Sequence, residues 1–228
     1  MKNVEQSIDF RRYPIPRVRH HAGPQLYLPL EQQHIRPDWY PPLIDHAPWH
    51  EWFGNGAFAD VLDIGCGRGG FMLEHALALP ELNILGLEVR MALVDWIDTV
   101  IQGEGLKNVK AAWYSAVNGL GFIPTASVQY VTYLFADPWP KRRHFKRRLF
   151  SESLLTEIDR ILMPNGRIYF ATDVPEVEEH QRHTIVEHGV FTIHPITDSD
   201  PWPFPFMTDQ EQFCIRKNIP YTLYYATR

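Results

Sequence analysis

The sequence predicts an α/β fold: a seven-stranded, mainly parallel sheet with helices on both faces. Two observations carry this. From residue 60 onward, short runs rich in β-branched and aromatic residues alternate with segments of helical periodicity, the pattern of parallel strands joined by helical crossovers. The first run leads directly into a glycine turn, Gly65-Cys66-Gly67-Arg68-Gly69-Gly70, where open α/β sheets place a ligand.

The elements follow in order. Val61–Ile64 is a short buried strand, and the helix after the glycine turn runs from Gly69 to Leu79, stopped by Pro80. Asn83–Glu88 is the second strand. In the next helix Leu93, Trp96, Ile97, Val100 and Ile101 repeat at helical spacing and make one apolar face. Val109–Tyr114 and Val128–Phe135 are strands three and four. Leu149, Leu154, Leu155, Ile158, Ile161 and Leu162 mark a second amphipathic helix, closed by Pro164-Asn165-Gly166. Gly166–Thr172 is strand five, Glu176–Glu187 a polar-faced helix, and Phe191–Ile196 and Tyr221–Ala226 are the last two strands.

Residues 1–55 differ in kind. Eight of the 19 prolines lie in the first 48 residues, together with Arg11, Arg12, Arg17 and Arg19, and no period of 2 or 3.6 is sustained. This stretch reads as an extended basic arm, with a short helix around Pro48–Phe53. The alternative is a disordered tail, but Trp39, Tyr40, Trp49 and Trp52 point to residues 39–53 packing onto another part of the protein.

Composition bounds the function. A chain of 228 residues with 45% apolar content buries a core large enough to fold without staples. Its 22 Lys and Arg against 27 Asp and Glu leave a net charge of −5, which excludes a globally basic nucleic-acid coat. Cys66 and Cys214 are the two cysteines, too few for a disulfide framework, and they point to a reducing compartment. No apolar run approaches the about 18 residues of a membrane span, and the N-terminus has no signal-peptide core. A soluble, cytoplasmic protein without a membrane partner is expected.

The glycine turn admits two ligand classes, a nicotinamide or flavin dinucleotide and S-adenosyl-L-methionine. Asp63 favours the second. A dinucleotide sets an anionic pyrophosphate over this turn, where a carboxylate repels it. S-adenosylmethionine has no phosphate and brings an ammonium and a sulfonium. Glu88, ending strand two, suits the ribose diol of either. Other chemistries lack their motifs: there is no phosphate loop and no nucleophile elbow. Cys66 reads as a packing residue of the turn, and His180, His183 and His188 lie among Glu178, Glu179 and Glu187 on a solvated helix face, so no metal is expected.

Charge is segregated. Six of the 22 basic residues fall between Lys141 and Arg148, just after Asp137-Pro138-Trp139-Pro140, whereas residues 173–211 hold nine acids and one base. A basic cluster at the carboxyl end of strand four, beside the ligand crevice, favours a polyanionic substrate docked over the cofactor. Trp139 is either a stacking platform or a loop anchor.

Together, Asp63–Gly70, Gly86-Leu87-Glu88-Val89, Asp137-Pro138-Trp139-Pro140-Lys141 with its basic continuation, Ala171-Thr172-Asp173 and Thr208-Asp209-Gln210-Glu211 resemble the tRNA (guanine-N7)-methyltransferase family. The match runs in order from about residue 60 to the C-terminus, and Arg17-Val18-Arg19-His20 is similar to the family's basic N-terminal arm. The resemblance implies a Rossmann-like class I methyltransferase domain over 56–228 behind the arm 1–55. It implies transfer of the S-adenosylmethionine methyl group to N7 of the variable-loop guanine of tRNA, by a monomer or weak homodimer. Cofactor contacts are then Asp63, Gly65, Gly67, Glu88, Ser115 and Asp137, with Asp137 also catalytic. Lys141, Asp173, Thr208 and Glu211 are implied substrate contacts. Ser115 departs from the Asp or Asn usual there, and its hydroxyl offers the adenine edge fewer bonds. Two readings stay open beside this one. Asp137-Pro138-Trp139-Pro140 also resembles the motif of enzymes that methylate an exocyclic base amine, and a catalytically silent tRNA-binding module would keep the same fold.

Overall fold

Val61–Ile64 (β1) is buried at all four positions, which suits a strand covered on both faces. It lies third from one edge of a seven-stranded sheet. In the computed structural model, which describes residues 7–19, 22–32, 38–137 and 149–228, Ile84–Glu88 (β2) and Val109–Trp113 (β3) extend the sheet to one side of β1. Val128–Leu134 (β4) and Leu162–Thr172 (β5) extend it to the other. These five strands are parallel, while Thr222–Thr227 (β7) runs antiparallel between β5 and Thr192–Pro195 (β6). The chain reverses its direction of winding between β1 and β4, so the crevice at their carboxyl ends is where such a sheet binds ligands.

Helices cover both faces. Trp49–Trp52 (α1) is a single turn after Pro48. Gly70–Ala78 (α2) and Met91–Glu104 (α3) pack Phe71, Met72, Leu73, Val94, Ile97 and Val100 against Val61, Ile84, Val109 and Ala111. On the opposite face Leu154, Leu155, Ile158 and Ile161 of Glu152–Ile161 (α4), with Ile185 of Pro175–His188 (α5), meet Leu62, Leu85, Val131, Ile168 and Phe170. Termini obey their chemistry. The Ser151 hydroxyl accepts from Leu154 N–H to cap α4, and α3 ends on Gly105 in the left-handed region.

Two expectations are corrected. Pro164-Asn165-Gly166 does not close a helix, because α4 ends at Ile161 and the strand begins at Leu162. Pairing jumps from Val128 opposite Leu162 to Tyr130 opposite Arg167, so the exposed Met163, Pro164 and Asn165 bulge out of β5. Strand four stops at Leu134, and Phe135 turns the chain with φ of 49°. A helix that the periodicity does not signal, Asp209–Lys217 (α6), precedes β7.

The arm is no loose extension. Ser7 Oγ and Ile8 N–H donate to the Glu74 carboxylate of α2, and Trp96 of α3 donates its indole N–H to the Tyr13 carbonyl at 3.1 Å. Tyr40 and Phe53 are each 1% exposed, and Trp49 and Trp52 pack beside the core, but Trp39 is 49% exposed. Among the described residues no helix is long and apolar enough to cross a membrane.

Candidate functional site

The carboxyl ends of the parallel strands open into a cleft of about 1060 Å³. β1 delivers Asp63, then the turn in which Gly65, Gly67 and Gly69 all have positive φ, a conformation that disfavours any side chain. At Gly69 the need is doubled, since a Cβ there would stand 2.9 Å from Ile97 Cδ1. The Leu87 carbonyl accepts from both Gly65 and Cys66 N–H, which clips the turn to β2. At Gly65 a Cβ would meet nothing within 4 Å, so the bare backbone forms an open cradle. Burial pushes the Cys66 thiol well up, which keeps it a neutral thiol, and it packs against the core beside the turn.

Three carboxylates face this cradle. Asp63 is buried and accepts the Thr132 hydroxyl at 2.7 Å. Burial, with the Glu88 charge nearby, pushes its pKa up to about 6. Glu88 accepts Gly67 N–H at 3.0 Å, Arg90 N–H at 2.8 Å and a forked Arg90 guanidinium at 2.8 and 2.9 Å. Those four bonds fill the lone-pair sites of a carboxylate. Asp137 accepts the phenol of Tyr27, which comes from the arm. Burial and the Asp137 charge hold the Tyr27 phenol far above its ordinary range, so Tyr27 is always the donor in that bond.

The arm thus crosses the cleft. Ser115 Oγ donates to the Leu26 carbonyl at 2.8 Å, Asn118 Oδ1 accepts Leu30 N–H at 2.8 Å, and Arg90 reaches the Arg19 carbonyl at 3.4 Å. Ile15, Val18, Arg19 and Tyr27 are part of the cleft wall.

On the far side Asp173 follows β5, and Gln210 of α6 donates to it at 2.8 Å. Thr208 and Glu211 form a reciprocal capping box: the Thr208 hydroxyl accepts from Glu211 N–H, and the Glu211 carboxylate accepts from Thr208 N–H. Thr208 lines the cleft, whereas the buried Glu211 is turned onto its own helix terminus. His75 fixes the loop leading there. Its Nδ1 bonds the Phe71 carbonyl, its Nε2 accepts from Phe206 N–H, and burial pushes its pKa down to about 4.

The structure therefore gathers Asp63, Gly65, Gly67, Glu88, Ser115, Asp137, Asp173 and Thr208 around one cleft. Lys141, the basic run to Arg148 and Trp139 lie outside the described residues. The cleft partners Tyr27, Arg90 and Gln210 were not singled out from sequence. Arg90, two residues after the ribose-type acid Glu88, carried a local signal; Tyr27 carried none. Among the described residues no group of three or more metal-ligating side chains is found.

A Rossmann-like sheet whose switch-point cleft is walled by a glycine turn and carboxylates defines a methyltransferase of the class I type. Comparison agrees. Residues 59–222 match the family described as "Putative methyltransferase". The tRNA (guanine-N(7)-)-methyltransferase of Thermosynechococcus vestitus is 35% identical over 214 residues, 91% of this chain and 93% of the relative. That of Synechococcus sp. is 31% identical over 93% of this chain and 84% of the relative. Among solved structures, precorrin-6y C5,15-methyltransferase from Geobacter metallireducens superposes with a TM-score of 0.51 at 16% identity, over 75% of this chain and 81% of that one, a likeness of fold alone. The chain belongs to the tRNA (guanine-N7)-methyltransferase family of enzymes.

Proposed function

We propose that the protein transfers the methyl group of S-adenosyl-L-methionine to N7 of the variable-loop guanine of tRNA. The observation that supports it best is the trio of carboxylates, Asp63, Glu88 and Asp137, around a bare glycine cradle. This donor set offers acceptors to the hydroxyls of a nucleoside and sets negative charge beside its cationic end. The cofactor residues are Asp63, Gly65, Gly67, Glu88, Ser115 and Asp137. Asp63 faces the cofactor's positive end, and Glu88 takes the ribose diol once the Arg90 fork yields its place. Ser115 reaches the adenine edge when the Leu26 carbonyl is exchanged for it. Leu26 and Tyr27 of the arm therefore shift over the cleft on cofactor entry.

When bound, the cofactor supplies an electrophilic methyl on a sulfonium. Guanine N7 is a lone-pair acceptor with no proton to lose, so the chain provides no general base at that atom. Its residues act by placing N7 in line and by excluding water. Asp137, at the end of β4, grips donor groups of guanine or cofactor, and Asp173, held by Gln210, meets the substrate from β5. Thr208 contacts the substrate at the cleft. Glu211 serves it indirectly, by fixing the α6 terminus, and Lys141 opens the basic run that follows Asp137. The test is calorimetry with S-adenosylmethionine and with a nicotinamide dinucleotide. Saturable binding of the first and none of the second is expected; the reverse overturns the reading.

A further inference from the structure

Most of the described arginines are neutralised. Arg11, Arg12, Arg90, Arg160, Arg167, Arg182 and Arg228 each pair with a carboxylate at 2.6–3.0 Å. In a chain with an excess of acids this is the expected outcome. Arg17, Arg19, Arg68 and Arg216 are the exceptions: all are exposed, and none makes a side-chain hydrogen bond or ion pair among the described residues.

Their placement is not scattered. Arg19 on the arm, Arg68 in the glycine turn and Arg216 on α6 all line the same cleft, and Arg17 stands two residues from Arg19. They come from three elements far apart in sequence. Local reasons cover only one of them, since Arg216 in the last turn of α6 complements the helix dipole. Lys217 beside it would serve that end equally. The turn at Arg68 is set by its flanking glycines and needs no cation. The methyl donor has one carboxylate, which accounts for one of these guanidiniums and not for the set. Phe213, 37% exposed, lines the cleft one helical step from Arg216, which sets a ring beside a guanidinium as in surfaces that hold unpaired nucleotides.

We propose that Arg19, Arg68 and Arg216 hold backbone phosphates of the RNA around the cleft mouth, with Phe213 against a base next to the target. This contact line follows the glycine turn and α6. It rests on the reading that tRNA is the substrate.

The test uses full-length protein and labelled tRNA. Wild type and an Arg68→Gln/Arg216→Gln double variant are titrated between about 50 and 200 mM salt, with cofactor affinity measured in parallel. Two lost phosphate contacts reduce the slope of log K against log salt by about 1.4–1.8. The loss of affinity across that fourfold range then becomes about 7- to 12-fold smaller than in wild type. An Arg68→Lys/Arg216→Lys variant, which keeps both charges, restores the slope and guards against misfolding of the first. Phe213→Ala weakens binding with the slope unchanged. A double Gln variant with the wild-type slope overturns the contact line while leaving the tRNA reading intact. Wild type that neither binds nor methylates tRNA overturns both.

Discussion

Asp63→Asn separates stability from function at the heart of the site. Asp63 is 4% exposed, and burial raises its pKa from 3.8 to about 6. Folding therefore favours the protonated acid. The destabilisation is nearly absent below pH 4, grows between pH 4 and 6, and is complete above 6. A shift of about two units amounts to about 3 kcal/mol at neutral pH. Asparagine keeps an oxygen to accept from Thr132 and removes that charge. Its unmatched amide N–H costs about 1 kcal/mol, leaving a net gain of about 2 kcal/mol. At this chain length that raises the melting temperature by about 4–8 °C. The same change removes the charge proposed to face the cofactor's cationic end, so on that reading cofactor binding falls as stability rises. Thermal unfolding of both proteins at pH 7.5 and pH 5 reads the effect, with the gap at pH 5 about a third as large. A variant no more stable than wild type at pH 7.5, or a gap independent of pH, refutes the reasoning.

Asp137→Ala lowers turnover by about 100-fold or more by loosening the placed base, with circular dichroism unchanged; near-normal turnover contradicts its assigned role. Glu88→Gln weakens S-adenosylmethionine by roughly tenfold or more, the loss of a charged acceptor, and leaves tRNA affinity within a factor of about two, as calorimetry and filter binding report. Gly86→Ala, whose Cβ would overlap the Met72 sulfur and stand 2.7 Å from Cys66 Sγ, destabilises the fold by about 1–3 kcal/mol, measured by urea unfolding.

The central sheet was legible because its strands are largely apolar runs, Asp63 because it is the one acid inside the first of them, and Glu88 because it ends the second. Pro164-Asn165-Gly166 carries the signal that closes a helix, but in the structure it interrupts a strand, because the helix has already ended at Ile161. α6 escaped because only Cys214 among its three apolar residues is buried, too weak a stripe to register. Its Thr208–Glu211 spacing was visible, and its physical meaning is the capping box. Closure of the arm had no sequence signal. It depends on pairs such as Ser115 with the Leu26 carbonyl and Tyr27 with Asp137, residues 89 and 110 positions apart, which local periodicity does not encode.

The most direct test of the account is to incubate pure protein with methyl-labelled S-adenosylmethionine and total tRNA and to analyse the nucleosides. The account predicts label in 7-methylguanosine, at a variable-loop site that becomes cleavable after borohydride and aniline treatment. Label confined to an N-methylated exocyclic amine, or no transfer by protein that binds the cofactor, contradicts it.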